Sequence, residues 1–394
     1  MESLKELYRI GPGPSSSHTL AIKRICEHFL SLHPNLKEYE IDLYGSLSLT
    51  GKGHMTDKII YETLSEDATI NFLNKDHKHP NTIVIKSNDI EEIYYSTGGG
   101  SFLREGDDLK EKEDIYPEKN MSEIEKYLKD HNCDLYQYIL NRDKGIKGYL
   151  IEVFEQMIKT IENGLNKEGL LPGPLKLERV AKRLYLNAEN INDETIKKDI
   201  LITAYAYACA EENASGNTVT TAPTLGSCGV LPAVLYYQYK NKNISKDRII
   251  EALAIGGIYG NIIKENATIS GAKGGCQAEI GTACAMAAAA LASLYNLSLN
   301  QISYAAEMGI EHHLGLTCDP IGGYVQIPCI ERNGVGALRA YDAANYAKYL
   351  GDIRGNRISF DTIVETMNYT GEKIARELKE TSLGGLAKIY KEEK

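Results

Sequence analysis

Apolar and polar positions alternate in two different ways along this chain, and the change falls near residue 147. Before it, helix and strand patterns are mixed. SSSHTLAIKRICEHFLSL (15–32) opens with serines suited to cap a helix and carries Ile22, Ile25, Cys26, Phe29 and Leu30 at helical spacing. YEIDLYGSLSLT (39–50) alternates with period two, as a half-buried strand does, and TIVIKS (82–87) and EIYYSTGGG (92–100) read as two further strands. The segment 103–119 is charged, loses the alternation and contains Pro117, which predicts a domain edge. A connecting helix pair is predicted over 121–143. From 147 onward the pattern is helical, with helices predicted at 151–165, 176–187, 194–212, 231–241, 246–263, 276–295, 300–314, 335–350 and 359–380. The fold class expected is α+β: a small N-terminal α/β domain (1–118), a helical linker (119–146) and a larger all-α domain (147–394).

One helical stretch stands apart. ISGAKGGCQAEIGTACAMAAAALASLYNL (269–297) runs from a glycine-rich turn into a run of alanines, and 281–299 carries no charge. Alanine drives membrane insertion weakly and the rest of the chain has no comparable run, so we expect a buried helix at the centre of a packed bundle, with no membrane association. Composition narrows the class further. Over 394 residues the net charge is −10, with 43% hydrophobic and 25% charged residues, and no basic stripe suggests a nucleic-acid partner. The opening MESLKELYRI lacks the apolar core of a signal peptide, which predicts a cytoplasmic protein with reduced thiols. Its eight cysteines are then core residues, metal ligands or catalytic thiols rather than a disulfide framework.

Candidate chemistry gathers in the irregular segments. GPGPSSSHT (11–19) places three serines and His18 before a helix, where free N–H groups and hydroxyls can bind an anion; a plain N-cap is the simpler alternative. LTGKGHMTD (49–57) holds His54 in a turn after a strand, the kind of loop that carries catalytic groups. STGGGSF (96–102) permits positive φ and close approach of a ligand or another backbone, or is a hairpin turn. In the helical part, NASGNTVTTAPTLGSCGVLPA (213–233), SGAKGGCQAEIG (270–281) and GLTCDPIGGYVQIPCIERN (315–333) each put cysteine into a glycine- or proline-punctuated turn. Their spacing matches neither structural zinc nor ferredoxin patterns. A metal or iron–sulfur site and buried thiols both remain open, with Cys228, Cys276, Cys284, Cys318 and Cys329 as candidates.

In order along the chain, GPSSSHT, YGSLSLTGKGHMTD, GGGSF, TAPTLGSCGVLPA, SGAKGGCQAEIGTACAMAAAALA, EHHLGLTCDPIGGYVQIPCIERN and TSLGGLA resemble the iron–sulfur-dependent L-serine dehydratases (L-serine ammonia-lyases) in their single-chain form. The resemblance implies a [4Fe–4S] cluster held by Cys276, Cys318 and Cys329, with one iron left open as a Lewis acid, and L-serine as the substrate. It implies His54 as the base with Thr56 beside it, and Ser15, Ser16, Ser17, His18, Thr19, Gly98, Gly99 and Gly100 as substrate-binding residues. The active site is expected between the two domains, the smaller of which would resemble the allosteric substrate-binding domain of some phosphoglycerate dehydrogenases. A homodimer is expected by analogy.

Three departures accompany the resemblance. No cysteine follows GGLA near the C-terminus, so the fourth iron would be open, water-bound, or met by Glu392, Glu393 or the terminal carboxylate. The stretch from His54 to Gly98 is short for the single-chain form, and Leu225 replaces an asparagine common in relatives. The rival enzymatic reading is a pyridoxal-phosphate lyase with Lys273 as the Schiff-base lysine. A serine-sensing protein without activity is a second alternative, and elimination from another β-substituted amino acid, threonine or cysteine, a third.

Overall fold

The computed structural model describes residues 1–107 and 114–390. Part of the expected domain edge at 103–119 and the tail residues Glu392 and Glu393 therefore lie outside the described residues.

A five-stranded sheet forms the small α/β body, in the order β3-β2-β4-β5-β6. Its strands are β2 (Glu40–Leu43), β3 (Thr69–Phe72), β4 (Thr82–Ser87), β5 (Ile90–Gly98) and β6 (Ser101–Arg104), and β1 (Ile10–Pro12) lies outside it. β2 and β3 are parallel; the other pairs are antiparallel. One face packs on the helices Ala21–Leu32 and Thr56–Thr63, so that Ile22, Ile25 and Phe29 meet Ile41, Ile83, Ile85 and Tyr94 in a separate apolar core. The strand expected over 39–50 stops at Leu43. The last ladder bond runs from Tyr44 N to Thr82 O, and the chain then turns through Gly45 at φ +55° into the short helix Ser46–Leu49. A short run such as SLSL satisfies either period, and the end of the partner strand decides between them.

The chain begins in the helical body. Met1, Leu4, Leu7 and Tyr8 are buried in its core, and β1 pairs antiparallel with β7 (Thr218–Thr220). Only after this does the chain cross into the α/β body, and it returns through the helix Met121–His131. Around the alanine-rich helix Thr282–Leu294 pack Lys246–Asn266, Leu299–Glu311 and Cys329–Leu350. The window Cys276–Leu294 is apolar and long enough to cross a membrane, yet 89% of it is buried inside the protein, as a bundle core requires. The alanines have a steric cause. A Cβ on Gly309 would lie 2.8 Å from Ala285 Cα, and one on Gly256 would lie 2.6 Å from Met286 O, so these helices meet backbone to backbone.

Several helix bounds differ from those expected. The α-helix expected from 276 starts at Thr282, after a wider turn over Gln277–Gly281 that holds the cysteine end apart from the regular helix. The helix expected from 335 starts at Cys329, and that expected over 359–380 stops at Lys373 before a 3-10 turn at Arg376–Leu378. The helix expected over 176–187 is Ala181–Ala188.

Gly309→Ala should lower unfolding free energy by about 1–3 kcal/mol, the usual cost of overpacking a filled core. Gly148→Ala, in the helix Ile146–Leu165 where a new Cβ meets nothing within 4 Å, should be neutral or stabilising by up to about 1 kcal/mol. Denaturant unfolding of both variants checks the contrast, and equal effects would contradict the packing described.

Candidate functional site

Four irregular segments converge on one enclosed cavity between the two bodies. The first is the serine turn. Ser15 caps the turn Ser16–Leu20, accepting from His18 N, and its hydroxyl lies 3.2 Å from His18 Nδ1. Ser16 Oγ accepts from Leu225 N at 2.7 Å, which ties this turn to the TAPTLGS loop. Leu225 itself is buried in the helical core and does not line the cavity. Ser17 is buried in the same turn, and Thr19 Oγ1 is held within it, 2.7 Å from Ser15 O and 2.8 Å from Pro12 O.

The second segment is the GKGH turn. A Cβ on Gly53 would sit 2.5 Å from Gly323 O, so only glycine allows this loop of the α/β body to lie against the loop that follows Cys318. Beside it, His54 is buried, with Nδ1 3.0 Å from Thr50 O. A carbonyl can only accept, so Nδ1 carries the proton and the lone pair is on Nε2. The His18 ring stacks on that of His54 with centroids 4.2 Å apart, and its Nε2 faces Thr50 Oγ1 at 2.8 Å. Burial lowers the His54 pKa to about 4 against a slight rise from the Thr50 bond, and burial followed by the charge of His54 takes His18 well below its ordinary value. Both rings are thus neutral at neutral pH. Thr56 Oγ1 is buried without a hydrogen-bond partner at the start of the following helix.

The third and fourth segments supply thiols and acids. Cys276, Cys318 and Cys329 line the cavity with Ser15 and His54. The sulfurs of Cys276 and Cys318 and a carboxylate oxygen of Glu279 lie within 4.8 Å of one another. Glu279 also accepts from Thr224 Oγ1 at 2.7 Å. Contact with Cys276, and then burial, pushes the Cys318 thiol well up; burial, and then Cys276, does the same for Cys329. Arg332 brings a half-buried guanidinium beside these thiols, its Nη1 donating to Thr317 O at 2.6 Å. Of the five candidate cysteines, Cys228 and Cys284 instead sit in the apolar core. All eight cysteines are free thiols.

Glu380 is the residue that motif reading missed. Its Oε1 stands 3.8 Å from both His18 Nδ1 and His54 Nε2, and it lines the cavity with the thiols. Glu279, three residues after Cys276, was also passed over, although that spacing puts both on one side of a helical turn. Gly98, Gly99 and Gly100 are not among the residues that line the cavity. Gly98 abuts Ser270, while the carbonyls of Gly99 and Gly100 accept from Arg9 and Arg24, both at 2.6 Å. Lys273 is exposed and does not line the cavity either.

A mixed sheet body joined to a helical bundle, with thiols from the bundle facing a histidine from the sheet side, defines a two-part chain with one buried site between its parts. The chain belongs to the serine dehydratase family: residues 3–69 match the serine dehydratase beta chain and 74–387 the serine dehydratase alpha chain. It is 36% identical to an L-serine dehydratase of Helicobacter pylori, with 99% of both chains covered. It is also 36% identical to L-serine dehydratase 1 of Escherichia coli (98% of this chain, 99% of the relative) and to an L-serine dehydratase of Streptomyces coelicolor (98% of both).

Because the folded value for His54 lies below the ordinary 6.5, its burial contributes stability above that pH and loses it as pH falls towards about 4. Imidazole NMR on iron-free protein should show His54 titrating near pH 4 as the Nδ1–H tautomer. A midpoint of 6.5, or the opposite tautomer, would contradict the geometry.

Proposed function

We propose that this chain deaminates L-serine to pyruvate and ammonia by α,β-elimination, with a [4Fe–4S] cluster held by Cys276, Cys318 and Cys329. The observation that carries this is the meeting of those three thiols with a neutral, inward-facing His54 in one cavity, in a chain of the serine dehydratase family. The donor set fits the cofactor. Three thiols, two carboxylates and imidazole lone pairs form an acceptor-rich, buried space that a cationic centre would satisfy, and binding it would draw the thiols into their charged form. Thiolates are the usual ligands of such clusters, and three of them leave one iron of four without a protein sulfur. When bound, the cluster supplies a Lewis acid that stabilises the hydroxide leaving the β-carbon.

The protein's own groups do the rest. Thr50 O holds the Nδ1–H of His54, so the imidazole presents Nε2 as the acceptor for the Cα proton. Its depressed pKa keeps that nitrogen unprotonated before substrate arrives. Ser15 lines the adjoining wall, suited to orient the substrate, with His18 behind it stacked on His54, while burial of His54, Cys276 and Cys318 limits access of bulk water. The aminoacrylate product tautomerises and hydrolyses without further help. We place the protein in the cytoplasm as a homodimer. Threonine and cysteine are the rival substrates, since one methyl in a pocket is worth only about 1–3 kcal/mol. The exposed position of Lys273 disfavours the pyridoxal-phosphate alternative.

Protein purified without oxygen should contain about four irons and four sulfides per chain and release pyruvate from L-serine. Cys318→Ala should lose both iron and activity. His54→Ala should keep the cluster's absorption while turnover falls by about a hundredfold or more. Iron-free protein turning over serine at the full rate would refute the cluster, and near-normal turnover in His54→Ala would move the base elsewhere, first to His18.

A further inference from the structure

Glu380 sits in a backbone conformation that its own side chain does not favour. Its φ is +58°, in the left-handed region that non-glycine residues seldom occupy. Three long-range bonds hold it there. Glu380 N donates to Cys318 O at 2.7 Å, Cys318 N donates to Leu378 O at 2.8 Å, and Ser46 Oγ, from the α/β body, donates to Glu380 O at 2.7 Å. Both bodies thus fix one residue whose carboxylate points into the cavity.

That carboxylate has acceptor capacity to spare. Glu380 is 6% exposed, and its Oε2 is buried without a hydrogen-bond partner. Its Oε1 lies 3.8 Å from two imidazole nitrogens, beyond hydrogen-bond reach of either. Beyond a contact with the Ala272 N–H, this buried carboxylate has one oxygen without a partner, and such a group is costly unless a cationic group meets it. Glu279, the other acid of the cavity, differs: one oxygen is taken by Thr224 Oγ1 and the other by the thiols of Cys276 and Cys318, at 3.8 and 4.0 Å.

We propose that Glu380 is the receptor for the substrate's α-ammonium group, and so the residue that selects an amino acid over a simple carboxylic acid. This rests on the serine-eliminating function proposed above and deepens it. The geometry supplies the reason. The proton to be abstracted and the ammonium group are attached to the same carbon, so the base and the ammonium acceptor must be neighbours. His54 Nε2 and Glu380 Oε1 are 3.8 Å apart, and both face the cavity. An ammonium paired with Glu380 brings the Cα–H towards Nε2 and leaves the carboxylate and hydroxyl free to face the thiol side.

The test compares two ligands that lack a leaving hydroxyl and cannot turn over: L-alanine, which keeps the ammonium, and propionate, which lacks it. Calorimetric titration of the iron-loaded wild type and of Glu380→Gln should show L-alanine weakened about 10- to 100-fold by the substitution, as expected for a lost charge-assisted bond, with propionate unchanged. KM for L-serine should rise in step, with iron and sulfide content unchanged. Parallel weakening of both ligands would reduce Glu380 to a structural part, and an unaffected L-alanine would overturn the proposal. Should Glu380→Gln fail to fold or to hold iron, the wild type decides: L-alanine must bind more tightly than propionate by the same factor, and equal affinities refute the subsite. A holoenzyme that shows this preference but makes no pyruvate from L-serine would sink the proposed reaction while leaving the ammonium subsite standing.

Discussion

The constraint on which this molecule turns is a surplus of buried acceptors. Three thiols, two carboxylates and two imidazoles converge where the two bodies meet, with the Arg332 guanidinium beside the thiols. Burial drives each group towards its neutral form: Glu279 and Glu380 are pushed up, and His18 and His54 down. Such a place is tolerable only if it is held open by structure formed elsewhere and completed by positive charge. The alanine-centred bundle meets the first requirement. Its close backbone contacts hold the helix Thr282–Leu294, which continues directly from the turn over Gln277–Gly281 that follows Cys276, and the helix that begins at Cys329 packs on it.

How far the site could be read from the sequence depends on the range of the interaction behind each residue. His54 and the cysteines announce themselves because a reactive side chain in a glycine-rich turn is a local anomaly. The α+β division was legible for a similar reason, since long helices repeat their pattern over many turns. The strands β3 and β6 were not, because four half-buried residues carry too little alternation to stand out. Glu380 was hidden for a deeper reason. Nothing in KETSLGGLA marks a left-handed residue; that conformation comes from bonds to Cys318 and Ser46, 62 and 334 residues away in sequence. The glycines at 98–100 form a turn of close approach as their sequence suggests, with carbonyls that accept from Arg9 and Arg24, and they stand outside the residues that line the cavity.

The α/β body reaches the thiols through backbone as much as through side chains. Gly13 lies so close to Asn213 that a Cβ would fall 2.3 Å from its carbonyl oxygen, and Asn213 Nδ2 donates to Pro14 O at 2.8 Å. Gly53 meets Gly323 in the same manner. These two contacts bracket the cavity, one just before Ser15 and one just before His54. A methyl group at either place would clash with that backbone, so the serine turn or the His54 loop would have to shift. The position of His54 relative to the thiols is therefore encoded in good part by two neighbours that have no side chain at all. A loop of one packed body, pinned by backbone contact to the other, can in this way hold His54 with the precision usually reserved for a rigid element.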